Sequence, residues 1–202
     1  MKNPSHLHWL LPSILAPALV LGTVHVYEHH IKDADGLRNW GVVVPGLVYR
    51  SGQLDSKMIE PTLRENSIEL IINLQGENDE DFDQMREQRA AREMGIEFER
   101  YGMGGNGVGS VKRYVAAIAS IARAEREQRP VLVHCAAGAK RTGGVIACYR
   151  MLVHGWSRDR TREEMQRYGY DPEDDVRLTE FLADNLDEIT SLLRQQGVLE
   201  HE

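Results

Sequence analysis

The sequence predicts an α/β domain in which a mainly parallel central sheet is flanked by helices, preceded by an N-terminal transmembrane helix. Three observations carry this. From about residue 41 onward, short apolar runs alternate with amphipathic stretches, the pattern of successive strand–helix units. One run, "PVLVHC" at 130–135, is apolar at consecutive positions, as a strand at the centre of a parallel sheet has to be. Residues 9–27, opening "WLLPSILAPALVLGTVHV", contain no Asp, Glu, Lys or Arg and approach the ~20 residues that a bilayer-crossing helix needs.

Composition bounds the rest. A chain of 202 residues with 42% hydrophobic and 27% charged residues fits one domain with a sizeable core plus an appendage. The net charge of −7 argues against a nucleic-acid partner, because phosphate backbones reward a basic face. Two cysteines, Cys135 and Cys148, are too few for a disulfide framework or a structural zinc site. The chain therefore divides into a tail at 1–8, a membrane anchor or uncleaved signal segment at 9–27, a polar linker at 28–38, a folded domain at 39–196 and a tail at 197–202. No small-x-small cleavage site follows the apolar run, and Pro12 and Pro17 oppose a soluble core helix. Lys2 and the amino terminus nearly balance Lys32 and Arg38 under the positive-inside rule; the habit of short N-terminal anchors points to an exported domain.

The elements follow in order. "GVVVPGLVYRSG" (41–52) is strand-like, with Pro45-Gly46 marking a turn or edge. Asp55 is placed to cap a helix reaching about Asn66, and "IELIINLQ" (68–75) is a buried strand. The acidic stretch from Glu77 opens as a loop and becomes a helix closed by Gly95, with arginines late as the dipole prefers. "IEFERY" (96–101) alternates like a half-buried strand. A glycine-rich loop, "GMGGNGVGS" (102–110), then places Ser110 to cap a helix from 111 to about 128, whose Tyr114, Val115, Ile118, Ile121 and Ala122 recur at helical spacing. After "PVLVHC", "GGVIACYRMLVHG" is a buried helix ended by Gly155, and helices at about 157–168 and 175–196 complete the chain.

The chemistry sits in "VLVHCAAGAKRTGG", residues 131–144. A central strand ending in a tight loop that enters a helix presents unpaired N–H groups and the positive end of the helix dipole, and so favours an anion. Ala136, Ala137, Gly138 and Ala139 keep bulk away from that backbone, and Lys140 and Arg141 add positive charge. Arg141 offers a planar fork matched to two phosphate oxygens. Cys135 lies where this cradle begins, in a field of the kind that lowers a thiol's ordinary value of about 8.5. A thiolate beneath a bound phosphoryl group is placed for in-line attack, and Thr142 is placed to donate to the sulfur as it leaves.

His134-Cys135, five residues, then Arg141-Thr142-Gly143 resembles the HCx5R(S/T)G signature of the cysteine-dependent protein tyrosine and dual-specificity phosphatases. The resemblance spans about 39–190. "VVPGLVYRSGQLD" (43–55) is similar to the opening of the compact members, and "YGMGGNG" (101–107) to a loop of the plant and fungal atypical members, some of which act on inositol pyrophosphates. It implies a phosphatase P-loop between the central strand and the next helix, with Cys135 as nucleophile, Arg141 and the backbone of 136–141 binding phosphate, and Thr142 assisting thiolate release. It implies hydrolysis of phosphate monoesters through a cysteinyl-phosphate, no cofactor and no metal, and a phosphorylated protein or small phosphorylated molecule as partner. An inositol (pyro)phosphate phosphatase or a weakly catalytic phosphate-binding module is the alternative. A sulfurtransferase is disfavoured by the arginine–threonine pair, and an arsenate reductase by the lack of a well-placed second thiol.

One departure stands out. The family supplies its general acid as an aspartate on the loop before the helix that precedes the signature strand, but Gly102–Ser110 contains no Asp or Glu, so the acid is unassigned. Glu77, Asp79, Glu80, Asp81 and Asp83 should lie on the same side of the sheet as the loop, where they form a solvated run from which one could reach in. Glu97 and Glu99 share a face that reads as exposed. Cys148 reads as core, and His134 as a structural residue whose ring bonds nearby backbone and helps hold the thiolate. His25, His29 and His30 read as an interfacial polar patch, Arg158, Arg160 and Arg162 as a solvated helix start, and Tyr168, Tyr170 and Asp171 as turn and packing residues.

Overall fold

The computed structural model describes residues 37–200. The anchor segment at 9–27 lies outside them; among the described residues no helix is long and apolar enough to cross a membrane. A five-stranded sheet runs in the order β1-β2-β5-β3-β4, with β1 at Gly41–Val44, β2 at Val48–Ser51, β3 at Leu70–Asn73, β4 at Glu97–Arg100 and β5 at Val131–His134. β2, β5, β3 and β4 pair in parallel, and β1 pairs antiparallel with β2 across the Pro45-Gly46 turn. The sheet is therefore mixed, its single antiparallel edge arising from a hairpin inside the first strand-like stretch. Ser51, His134 and Asn73 stand side by side in register. The carboxyl ends of three strands thus open at one edge, where parallel sheets place their sites.

Alternation along the inner strands sorts the core into two layers. Val131, Val133, Leu70 and Ile72 face α3 (Val111–Arg126), α4 (Lys140–Leu152) and α6 (Val176–Gln195). Leu132, Ile71 and Tyr49 face α1 (Ile59–Glu65) and α2 (Phe82–Met94). Both faces are covered, which is why β5 and β3 read as continuous apolar runs. A fully buried isoleucine such as Ile72 contributes about 1.5–3 kcal/mol by leaving water. α5 (Arg158–Arg167) packs beside α4 through Met165 and Ala147.

Two caps differ from expectation. Asp55 closes a turn, its carboxylate accepting the Lys57 N–H and its carbonyl those of Met58 and Ile59, so α1 starts later and is only one to two turns long. Ser110 occupies the N-cap position of α3 but makes no side-chain capping bond. Asp81 caps α2 through the Asp83 and Gln84 N–H groups, and Gly95 ends it at φ 69°, the left-handed conformation that glycine adopts without strain.

Candidate active site

β5 delivers Cys135, 2% exposed, to the edge where the strands end. The loop after it curls so that the Gly138 N–H donates to Cys135 Sγ at 3.2 Å. Gly138 has φ 75°, and a Cβ there would lie 2.5 Å from the Gly52 nitrogen, so only glycine fits both the backbone and the space. Three successive carbonyls are tied to the outside of the curl. Ala136 O accepts from the Gln53 N–H at 3.0 Å, Ala137 O from Asn39 Nδ2 at 2.7 Å, and Gly138 O from Arg50 Nη2 at 2.5 Å. Because a trans peptide sets its N–H opposite its carbonyl, these three bonds turn the next three N–H groups inward. The N–H groups of Ala137, Gly138 and Ala139 thus line the inside of the curl, the kind of arrangement from which anion-binding nests are built.

Arg141 is half-buried in the first turn of α4, next to the positive end of that helix's dipole. Lys140, beside it, pairs with Asp175. Thr142 is fully buried, and its Oγ1 lies 3.5 Å from the Ser51 carbonyl, a long contact that leaves the hydroxyl directed at β2 with no bond to Sγ.

Beneath the cysteine lies a polar cluster that the sequence reading missed. The His134 ring, fully buried, does not bond backbone as expected; its Nε2 stands 3.1 Å from Oε2 of Glu87, a carboxylate 1% exposed. Glu87 also accepts from Asn73 Nδ2 and Gln53 Nε2, both at 3.2 Å, and Gln75 Nε2 donates to Gln53 Oε1 at 2.7 Å. A buried carboxylate persists only when so surrounded. Its signal was available: Glu87 precedes the small residues Ala90 and Ala91 by three and four positions, on the helical stripe that α2 buries. Arg50 was also missed. Fully buried, it lies 3.7 Å from the Tyr168 ring centroid, and burial pulls its guanidinium below the ordinary arginine value against the opposing pull of Tyr168, Glu164 and Cys135.

The acidic run does not reach the nest. Glu77, Asp79 and Glu80 are exposed, Asp81 is spent on its cap, and Asp83 accepts the Ser56 N–H at 3.0 Å. Glu99 is less exposed than predicted, bonding Tyr101 at 2.9 Å and Arg123 at 2.6 Å. Gly102–Ser110 forms a tight turn, Gly104 N to Val108 O, pinned by Tyr114 Oη to Gly107 O at 2.7 Å. Gly107 packs on the Lys140 backbone, so this loop overhangs the start of α4 without bringing a carboxylate. Cys148 is buried in α4, and burial pushes its thiol up to about 12.

A cysteine whose sulfur accepts a loop N–H at the end of β5, followed by an arginine in the first turn of α4, has the elements that nucleophilic attack on a phosphoryl group requires. Comparisons with known proteins agree. The chain is 54% identical over 54 residues, 27% of its length, to the dual specificity protein phosphatase TpbA of Pseudomonas aeruginosa strain UCBPP-PA14. That match spans about a quarter of the relative's length. Its fold is similar to the crystal structure of P. aeruginosa TpbA (TM-score 0.62, 21% identity, 78% of this chain and 91% of that one). It is also similar to the core catalytic domain of the PP-IP phosphatase SIW14 from S. cerevisiae (TM-score 0.62, 22% identity, 82% and 97%). Residues 51–169, more than half of the chain, match the family model for the dual specificity phosphatase catalytic domain, and the protein belongs to that family.

Proposed function

We propose that the protein hydrolyses phosphate monoesters, of the phosphotyrosine or dual-specificity type, through a cysteinyl-phosphate. The observation that carries this is the loop itself: Sγ of Cys135 bonded to the Gly138 N–H inside a curl in which the carbonyls of Ala136, Ala137 and Gly138 are tied outward. The Cys135 thiolate attacks phosphorus as the bond to the leaving oxygen breaks. The N–H groups of the 136–141 loop, those of Ala137, Gly138 and Ala139 among them, and the Arg141 fork hold the equatorial oxygens. Water then attacks the cysteinyl-phosphate, releasing orthophosphate and the thiolate, whose departure Thr142 assists by turning its hydroxyl from Ser51. The substrate is a phosphorylated protein or small phosphorylated molecule, and a TpbA variant has been solved with phosphotyrosine bound.

The overhanging loop favours a second reading. With no carboxylate in Gly102–Ser110, leaving groups that need little protonation, aryl phosphates or phosphoanhydrides, react best. An inositol pyrophosphate carries such an anhydride, and SIW14 is named as a phosphatase of that kind. The test is a substrate panel on the full chain in detergent: p-nitrophenyl phosphate, phosphotyrosine and phosphoserine peptides, an inositol phosphate and an inositol pyrophosphate. Turnover of the aryl ester and phosphotyrosine, lost in Cys135→Ser, is expected. Preference for the alkyl ester of phosphoserine would refute the leaving-group argument. That residues 9–27 anchor the domain in a membrane is part of the same proposal, supported by their lack of charge; its exported side follows only the habit of short N-terminal anchors.

A further inference from the structure

The phosphate loop carries two cations, and they differ in circumstance. Arg141 forms no side-chain ion pair among the described residues, whereas Lys140 is paired to Asp175. The pairing is lopsided: the Lys140 side chain is 40% exposed and that of Asp175 only 4%. The carboxylate is the fixed partner. Its second oxygen accepts the Asp171 N–H at 3.1 Å, and its backbone bonds Asp171 O, Leu178 N and Thr179 N, locking it to the first turn of α6. The segment 168–175 that ends there touches the end of the phosphate loop and its support, with Tyr168 under Arg50, Gly169 beside Ala139 and Asp175 at Lys140.

We propose that Asp175 is a specificity-determining residue that withholds Lys140 from substrate and restricts the site to singly phosphorylated groups. This rests on the monoester reading above, names its substrate class, and opposes the pyrophosphate reading. A single phosphoryl group fills the nest and the Arg141 fork without needing Lys140. A second phosphate on the same substrate needs a cation at the rim, and Lys140 is the loop's only other one. To reach it, the ammonium has to leave a buried carboxylate without its counter-charge, which is costly. Polyphosphorylated anions therefore gain nothing from Lys140 while Asp175 is present.

The experiment uses the full chain in detergent, with p-nitrophenyl phosphate as reporter and orthophosphate and tripolyphosphate as competitive inhibitors. Asp175→Asn frees Lys140 and should strengthen tripolyphosphate inhibition about tenfold, the effect of one added charge-assisted contact, with a far smaller change for orthophosphate. The gain should vanish in the Asp175→Asn/Lys140→Gln double variant. Equal changes for both anions, or a gain that survives in the double variant, overturns the proposal. If Asp175→Asn does not fold, Lys140→Gln alone decides: an unchanged ratio of the two inhibition constants supports withholding, and selective weakening of tripolyphosphate refutes it. Absence of Cys135-dependent turnover in the wild-type chain would instead refute the phosphatase reading; turnover with no Asp175 effect leaves that reading standing and removes this one.

Discussion

Glu87→Ala should be among the most damaging single changes in the domain, although Glu87 is not part of the signature loop. The substitution strands the Asn73 and Gln53 amides, each 3.2 Å from the carboxylate, and removes the group 3.1 Å from His134. All of this happens at a site 1% exposed, where water does not replace what is lost. Removing one member of a buried charged cluster costs about 3–5 kcal/mol, in keeping with about 1–3 kcal/mol for each buried donor left unmade. For a domain of this size each kcal/mol lowers Tm by about 2–4 °C, so the fall should be about 6–20 °C. Glu87→Gln retains an acceptor and should lose roughly half as much. Thermal and urea unfolding of the two variants measure the loss, and p-nitrophenyl phosphate turnover by the surviving folded fraction measures its effect at Cys135. A loss below about 1 kcal/mol in Glu87→Ala would show that the cluster is no keystone, and the link drawn from α2 through His134 to the cysteine would fail.

Other expectations are more local. Cys148, held up to about 12 by burial, should stay unmodified when the native protein meets iodoacetamide at pH 8, while Cys135 is alkylated; mass spectrometry of the peptides decides, and equal labelling would place Cys148 outside the core. The Glu99 carboxyl is raised by burial, but bonds from Ser120, Tyr101 and Arg123 outweigh this and hold it below its ordinary value. Such a group contributes stability above its unfolded value of about 4.3 and loses it as pH falls through the folded value. Glu99→Gln should therefore lower the urea midpoint at pH 7 and converge on wild type in acid; a deficit independent of pH would refute the assignment. Alkaline carbonate extraction of expressing cells should leave the full chain in the membrane pellet and release a chain lacking residues 9–27; release of both would end the anchor proposal.

The order of elements and the phosphatase family were legible because the signals are local. A continuous apolar strand, small residues and a fixed cysteine–arginine spacing all lie within 131–144, and β3, α3 and α6 declare themselves by periodicity. What escaped is non-local. Glu87 sits in one of the most highly charged stretches of the chain, and only the packing of α2 against β3 and β5 decides that this acid, and not its neighbours, is buried. Arg50 and Asn39 look like ordinary residues at the start of the domain, yet they hold carbonyls 88 and 98 residues away. Thr142 was expected to donate to the sulfur, yet its hydroxyl lies towards the Ser51 carbonyl; the direction of a hydroxyl depends on χ1, which no spacing rule encodes. The sheet's antiparallel edge followed from a turn that was seen and a hairpin that was not drawn from it.

The outward ties of the phosphate loop carry a consequence for how the protein comes into being. Asn39, Arg50 and Gln53 leave the ribosome long before Ala136, Ala137 and Gly138, and the nest has no fixed shape until the two groups meet. Closing so long a chain segment is among the slower events of folding. In a nascent or partly folded chain Cys135 therefore lacks the Gly138 N–H contact to its sulfur, and the shape of the loop arrives together with the finished sheet. Protection of Cys135 by orthophosphate against alkylation should accordingly appear only after the first strands and the fifth have joined.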